Sequence, residues 1–177
     1  MQKQTALIVH KIAPVWNAHS RVLLLGTMPS PASRSAGFFY MHPQNRFWPL
    51  MAKIFNEHFA YKNKDLDHEA AIAERKAFLL KHRIALWDVL SQCMIRGAED
   101  TSITNTVPND FSEMFSHSAI SHVFCTGTTA FRLWQKHCAA LYTIPCYGLP
   151  STSPANQGRW PFEKLVEAYR LALQEWL

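Results

Sequence analysis

Residues 21–48 read RVLLLGTMPSPASRSAGFFYMHPQNRFW. The opening run is continuously apolar behind Arg21, as in a strand buried on both faces of a parallel sheet. It ends at Gly26. A connection of more than twenty residues follows, rich in proline, serine and aromatics, with Arg34 and Arg46. Connections of that length usually serve a function. Three more apolar runs, residues 83–88, 121–125 and 144–149, repeat the strand pattern. Helical patterns separate them. Residues 69–82 open on acids (Asp65, Asp67, Glu69) and close on Lys76, Lys81 and His82, as the helix dipole favours. Residues 128–141 follow a Thr-Gly-Thr-Thr turn whose hydroxyls are expected to cap the helix. Residues 161–176 place Phe162, Val166, Tyr169 and Leu173 on one stripe. The alternation predicts an α/β fold with right-handed crossovers and a sheet covered on both faces. Ligands of such sheets bind beyond the carboxyl ends of the strands. Residues 26–48, 93–110 and 150–159 fall there.

The chain of 177 residues is 48% hydrophobic and 18% charged. That supports one packed domain spanning 1–177 and excludes wholesale disorder. No apolar run approaches the ~18–20 residues of a membrane span, and the N-terminus lacks the pattern of a signal peptide. A cytoplasmic, monomeric protein is expected. Residues 1–64 hold eight Lys and Arg against one acid, Glu57, a balance of +7; residues 65–177 hold ten against twelve, or −2. A basic first third suits a polyanionic partner, nucleic acid being the commonest. Cys93, Cys125, Cys138 and Cys146 form no C-x-x-C pair, and no H-E-x-x-H occurs, so free thiols and no metal or cofactor are expected.

Two segments carry the chemistry. Hydroxyls and backbone amides in residues 26–48 suit phosphate, and aromatic faces suit a stacked base; a self-closed Ω-loop is the structural alternative. Residues 149–156, LPSTSPAN, offer three consecutive hydroxyls between stiffening prolines. A hydroxyl-capped turn would read the same way.

Residues 26–48 resemble the first signature of the uracil-DNA glycosylase superfamily. The resemblance lies in Gly26-Thr27-Met28-Pro29 at one end and His42-Pro43-Gln44-Asn45-Arg46-Phe47-Trp48 at the other. Residues 149–156 resemble its second, serine-rich signature. Many relatives carry Asn or Asp at the position of Met28, whose thioether can neither orient nor deprotonate water. The hypoxanthine-DNA glycosylase branch is more similar, and LWDVLSQC, GAEDTSI and PNDF resemble that branch too.

The resemblance implies a three-layer α/β/α sandwich around a four-stranded, mostly parallel sheet. It also implies a monofunctional glycosylase that flips a deaminated base (hypoxanthine, then uracil) out of DNA and hydrolyses its bond to the sugar. Asn45 is then the first catalytic candidate, aiming water or holding the base, with a helix cap as the plain alternative. Asp88 is the second. It is expected to accept from the base, act on water, or cap a turn. Tyr40 stands where the mismatch-specific branch keeps a stacking aromatic, with Phe39 as the alternative, while Phe47 and Trp48 are expected in the core. Thr27 and, more weakly, Asn109 join the substrate-binding set. Ser30, Ser151, Thr152 and Ser153 are expected at the DNA phosphates, with Arg34, Arg46 and Arg159 beside them. Two other readings stay open: a DNA-binding module of the same fold without catalysis, and a small-molecule enzyme acting on a phosphorylated metabolite.

Overall fold

The computed structural model describes residues 5–62 and 68–176. Its strands are β1 (Thr5–Val9), β2 (Val22–Gly26), β3 (Ile84–Asp88), β4 (Leu90–Arg96), β5 (Thr104–Pro108), β6 (His122–Thr126) and β7 (Cys146–Leu149). Its helices are α1 (Pro31–Ala36), α2 (Phe47–Phe55), α3 (His68–Lys81), α4 (Ser112–Ser116), α5 (Thr128–His137) and α6 (Phe162–Leu173).

The four apolar runs form a sheet ordered β3-β2-β6-β7, parallel throughout. In the central strand β2, side chains alternate between two layers. Val22 and Leu24 pack with Leu50, Phe78 and Val166 of α2, α3 and α6. Leu23 and Leu25 pack with Phe111, Leu133 and Trp134 on the opposite side. Burial on both faces is why the run shows no polar alternation. Phe47 and Trp48 lie in the first layer, as expected. The four cysteines are unbridged; Cys93, Cys125 and Cys138 are buried and Cys146 partly so. No helix among the described residues is long and apolar enough to cross a membrane.

Three features depart from the sequence expectation. A second sheet, antiparallel and ordered β1-β4-β5, stands beside the first. It takes up half of residues 93–110, which read as a loop. The long connection after β2 contains α1, capped by the Ser30 hydroxyl at its start and by left-handed Gly37 at its end. The hydroxyls of the Thr-Gly-Thr-Thr turn do not cap α5. Gly127 is its N-cap, with no side-chain bond, and the helix ends at His137 rather than 141. Asp65 and Asp67 lie outside the described residues. The chain passes from one sheet to the other through a single residue, Val89, between Asp88 and Leu90.

Leu24 is fully buried at the centre of the larger layer. Leu24→Ala is expected to lower stability by about 2–5 kcal/mol in urea unfolding, through lost transfer energy and the cavity left behind.

Candidate active site

From β2 the chain crosses to β3 on one side. From β6 it crosses to β7 on the other. The carboxyl ends of β2 and β6 therefore flank a topological switch point, where such sheets open a crevice. A cavity of about 600 Å³ lies there, and Gly26 and Thr126 line it. That volume falls in the usual range for small-ligand sites, roughly 300–1,000 Å³.

Asn45 lines this cavity. Its Oδ1 accepts from the Phe47 backbone N–H at 2.9 Å and from the Thr152 hydroxyl at 3.0 Å. The first bond is a local turn two residues long, just ahead of α2; the N-cap of α2 is Arg46, without a side-chain bond, so Asn45 is not the helix cap. Both lone pairs are then occupied, and the backbone N–H fixes which end of the amide is oxygen. The Nδ2 group is left as a donor at the cavity.

Thr152 is 1% exposed. It holds Asn45 from within, which corrects its expected place at a DNA phosphate. Arg46 needs the same correction. It is 8% exposed. Its guanidinium donates to the carbonyls of Thr152 (3.3 Å), Ser153 (3.0 Å), Ser151 (3.4 Å) and Trp160. Its backbone N–H also donates to Thr152, at 3.2 Å. Burial holds the guanidinium pKa below its ordinary value. Arg46 thus clamps the serine-rich segment to the start of α2, and its donors are spent on the protein. Arg159 is exposed and outside the cavity.

The remaining hydroxyls stand around the opening. Ser151 and Ser153 line it; each accepts from a backbone N–H two residues on, at 3.2 and 3.3 Å. Ser30 lines it too and donates to Ser33 Oγ at 3.2 Å. Arg34 reaches Pro29 O at 2.7 Å from the same rim. Thr27 is buried and lines the cavity with Asp100, whose carboxyl pKa burial raises while Thr27 opposes the shift.

Tyr40 lies against Phe47, ring centroids 4.0 Å apart and planes 13° from parallel. Its φ of +57° is a left-handed conformation rare for an aromatic residue, and such strain gathers at functional sites. Thr126 donates its hydroxyl to Leu25 O at 3.2 Å, so Tyr40 Oη donates to Thr126, at 2.6 Å. Burial, and then the Asp88 charge, push the phenol well above its ordinary pKa, so it stays protonated. Phe39 is 2% exposed and belongs to the cavity's back wall.

Asp88 ends β3 at 4% exposure. Burial raises its pKa, and His10 opposes the shift. Its Oδ2 accepts from His10 Nε2 at 2.8 Å. Its Oδ1 lies over Gly26, where a Cβ would come within 2.3 Å of it. Asn109 does not line the cavity. It donates to the Asp88 main-chain carbonyl at 2.9 Å, which corrects its expected substrate role to support of the strand end. Sequence reasoning missed His10. A lone histidine after a short apolar stretch carries no signal, and its partner is 78 residues away. Met28 lines the cavity as a thioether and packs on the second core layer.

If Arg46 is a clamp, Arg46→Lys should lower stability by about 2–3 kcal/mol, since hydrogen bonds to charged groups are worth roughly 1.5–3 kcal/mol each. Residues 150–160 should become easier to cleave by protease. The salt dependence of DNA binding should keep its slope, whereas loss of a phosphate contact reduces that slope by about one. Filter binding over a salt series separates the two.

A model of the uracil DNA glycosylase superfamily matches residues 13–177. Two proteins named hypoxanthine DNA glycosylase, from Methanosarcina barkeri and Methanosarcina acetivorans, are each 33% identical to this chain over 99 residues. The matches cover 56% and 55% of this chain. They span only 58% and 57% of those relatives' own length. A solution NMR structure of a Methanosarcina acetivorans protein, proposed to be a uracil DNA glycosylase, shares the fold at a TM-score of 0.68 and 23% identity, covering 97% of this chain and 98% of that one. With the signatures, the strand order and the cavity at the switch point in place, the family model decides the affiliation: this chain belongs to the uracil DNA glycosylase superfamily.

Proposed function

We propose that this protein is a monofunctional DNA glycosylase that releases deaminated bases, hypoxanthine first and uracil second. The observation that carries the reading is the state of Asn45. Its oxygen is tied to Phe47 and Thr152, and its amide donor faces a cavity whose other polar wall is Asp88. Hydrolysis breaks the bond between the base nitrogen and C1′ through an oxocarbenium-like transition state, with negative charge growing on the base. A fixed donor lowers the energy of that charge. With both lone pairs of Oδ1 filled, Asn45 serves the leaving base rather than a water. Water then captures the cationic sugar at C1′.

Asp88 accepts from the ring N–H of the flipped base, N1–H of hypoxanthine or N3–H of uracil. Tyr40 offers it an aromatic wall, and stacking of this kind is worth about 1–3 kcal/mol per base. Ser30, Ser151, Ser153 and Arg34 stand at the rim, where the flanking phosphates of a flipped nucleotide pass. No lysine lines the cavity among the described residues, so no amine is placed to form a Schiff base. The product is an abasic site in an intact strand. The enzyme is proposed to act as a single-domain monomer on cytoplasmic DNA, without a cofactor.

Single-turnover release of hypoxanthine from an inosine oligonucleotide tests the reading. Asn45→Ala should slow release by about 10²–10³-fold, the usual cost of one preorganised donor, with little change in DNA affinity. Asp88→Asn should change the preference between bases more than Asn45→Ala does. A folded Asn45→Ala that releases base at the wild-type rate refutes the assignment. DNA binding without release, at high enzyme concentration, would mark a binding module instead.

A further inference from the structure

Asp88 has a buried partner, His10, that the reaction above leaves without a task. His10 follows β1, its backbone N–H donating to Ser91 O of β4 at 2.6 Å. Its side chain is 1% exposed. The ring sits between Phe39 and Trp87, at centroid distances of 6.0 and 6.4 Å. The Ile12 backbone N–H donates to Nδ1 at 3.1 Å. That nitrogen is therefore an acceptor, and the ring proton sits on Nε2, which donates to Asp88 Oδ2 at 2.8 Å. Asp88 Oδ1 remains on the cavity side above Gly26, whose missing Cβ makes the room.

We propose that His10 is a positioning residue that pins Asp88 as a one-sided hydrogen-bond acceptor, and so sets the preference for bases carrying a ring N–H over their amino parents. The proposal rests on the glycosylase reading. Hypoxanthine presents N1–H where adenine presents a bare lone pair, and uracil presents N3–H where cytosine presents one. An ionised Oδ1 attracts the first of each pair and repels the second. A protonated carboxyl has a donor and loses the distinction. Guanine also carries N1–H, so the device separates inosine from adenosine and not from guanosine.

The groups that face Asp88 decide which form it takes. His10 donates to it from the β1 side. Tyr40 is protonated and spends its proton on Thr126. Asp100, near the mouth, repels it electrostatically. Burial also favours the neutral acid. Among the described residues, His10 is the group that works the other way. Without it Asp88 should titrate at higher pH. Activity that needs the carboxylate is lost as pH falls through that titration, so the acid limb of kcat/KM should move upward.

The test compares wild type with His10→Phe, which keeps a ring and loses the donor, and His10→Gln, which keeps an N–H donor. Folding is checked by circular dichroism. His10→Phe should move the acid limb up by about one pH unit or more. It should also lower the ratio of hypoxanthine to adenine in inhibiting the enzyme–abasic-DNA complex by about tenfold, the equivalent of one unit. His10→Gln should restore most of both. A folded His10→Phe with the wild-type acid limb and the wild-type ratio overturns the proposal. If His10→Phe does not fold, nitrogen-15 spectra of the wild-type imidazole decide: an Nε2-protonated ring supports the pairing and an Nδ1-protonated ring overturns it. Failure of wild type to release hypoxanthine overturns the glycosylase reading alone. The imidazole spectra and the carboxyl titration of Asp88, both read without substrate, still judge the pairing.

Discussion

One buried guanidinium joins the two segments from which the cavity is made. Arg46 begins α2 and reaches the carbonyls of Ser151, Thr152, Ser153 and Trp160. Guanidinium resists deprotonation even when burial weakens it, so its charge must be met inside the protein. Four carbonyls do that, and in return their segment has one position relative to α2. Asn45 is next in the chain and Thr152 is among the clamped residues. The bond from Thr152 to Asn45 follows from the clamp. Removing Arg46 would free a segment of backbone carbonyls and the donor that orients the amide, all at once.

The two sheets divide the remaining work. The parallel sheet provides the crevice, because β2 and β6 send their connections to opposite sides. The antiparallel sheet reaches the site from behind. β1 pairs with β4 along Thr5–Arg96 to Val9–Gln92, and that pairing delivers His10 to Asp88 where β3 passes into β4. A histidine on a free terminus would lose more entropy on docking than one hydrogen bond returns. A strand spreads that cost over a ladder.

The core strands were legible because burial on both faces leaves a continuous apolar run, and all four runs became strands to within two residues. The antiparallel sheet was not. β1 is mostly exposed, with Leu7 at 55% and Val9 at 48%, so its residues give no in–out alternation. The loops were legible as places but not as roles. Asn45, Asp88, Tyr40 and Ser151 do meet at one cavity. Arg46 and Thr152 read as solvent-facing because polar residues in a loop usually are. Their burial depends on contacts across more than one hundred residues, which no local pattern encodes.

The placement of charge explains why two polar groups are needed where one might suffice. Under the proposed reaction the base departs with growing negative charge. A carboxylate hydrogen-bonded to its N–H opposes that growth, so Asp88 selects the base at some expense of rate. Asn45 supplies the opposite contribution, a donor with no net charge that leaves the selecting carboxylate ionised. A lysine or arginine in its place would neutralise Asp88 and blur the choice between an N–H and a lone pair. Met28, at the cavity wall, adds neither charge nor donor. Selection by an anion and acceleration by a neutral amide are therefore compatible in one cavity, and the geometry that keeps them apart is the clamp at Arg46 on one side and the His10 pair on the other.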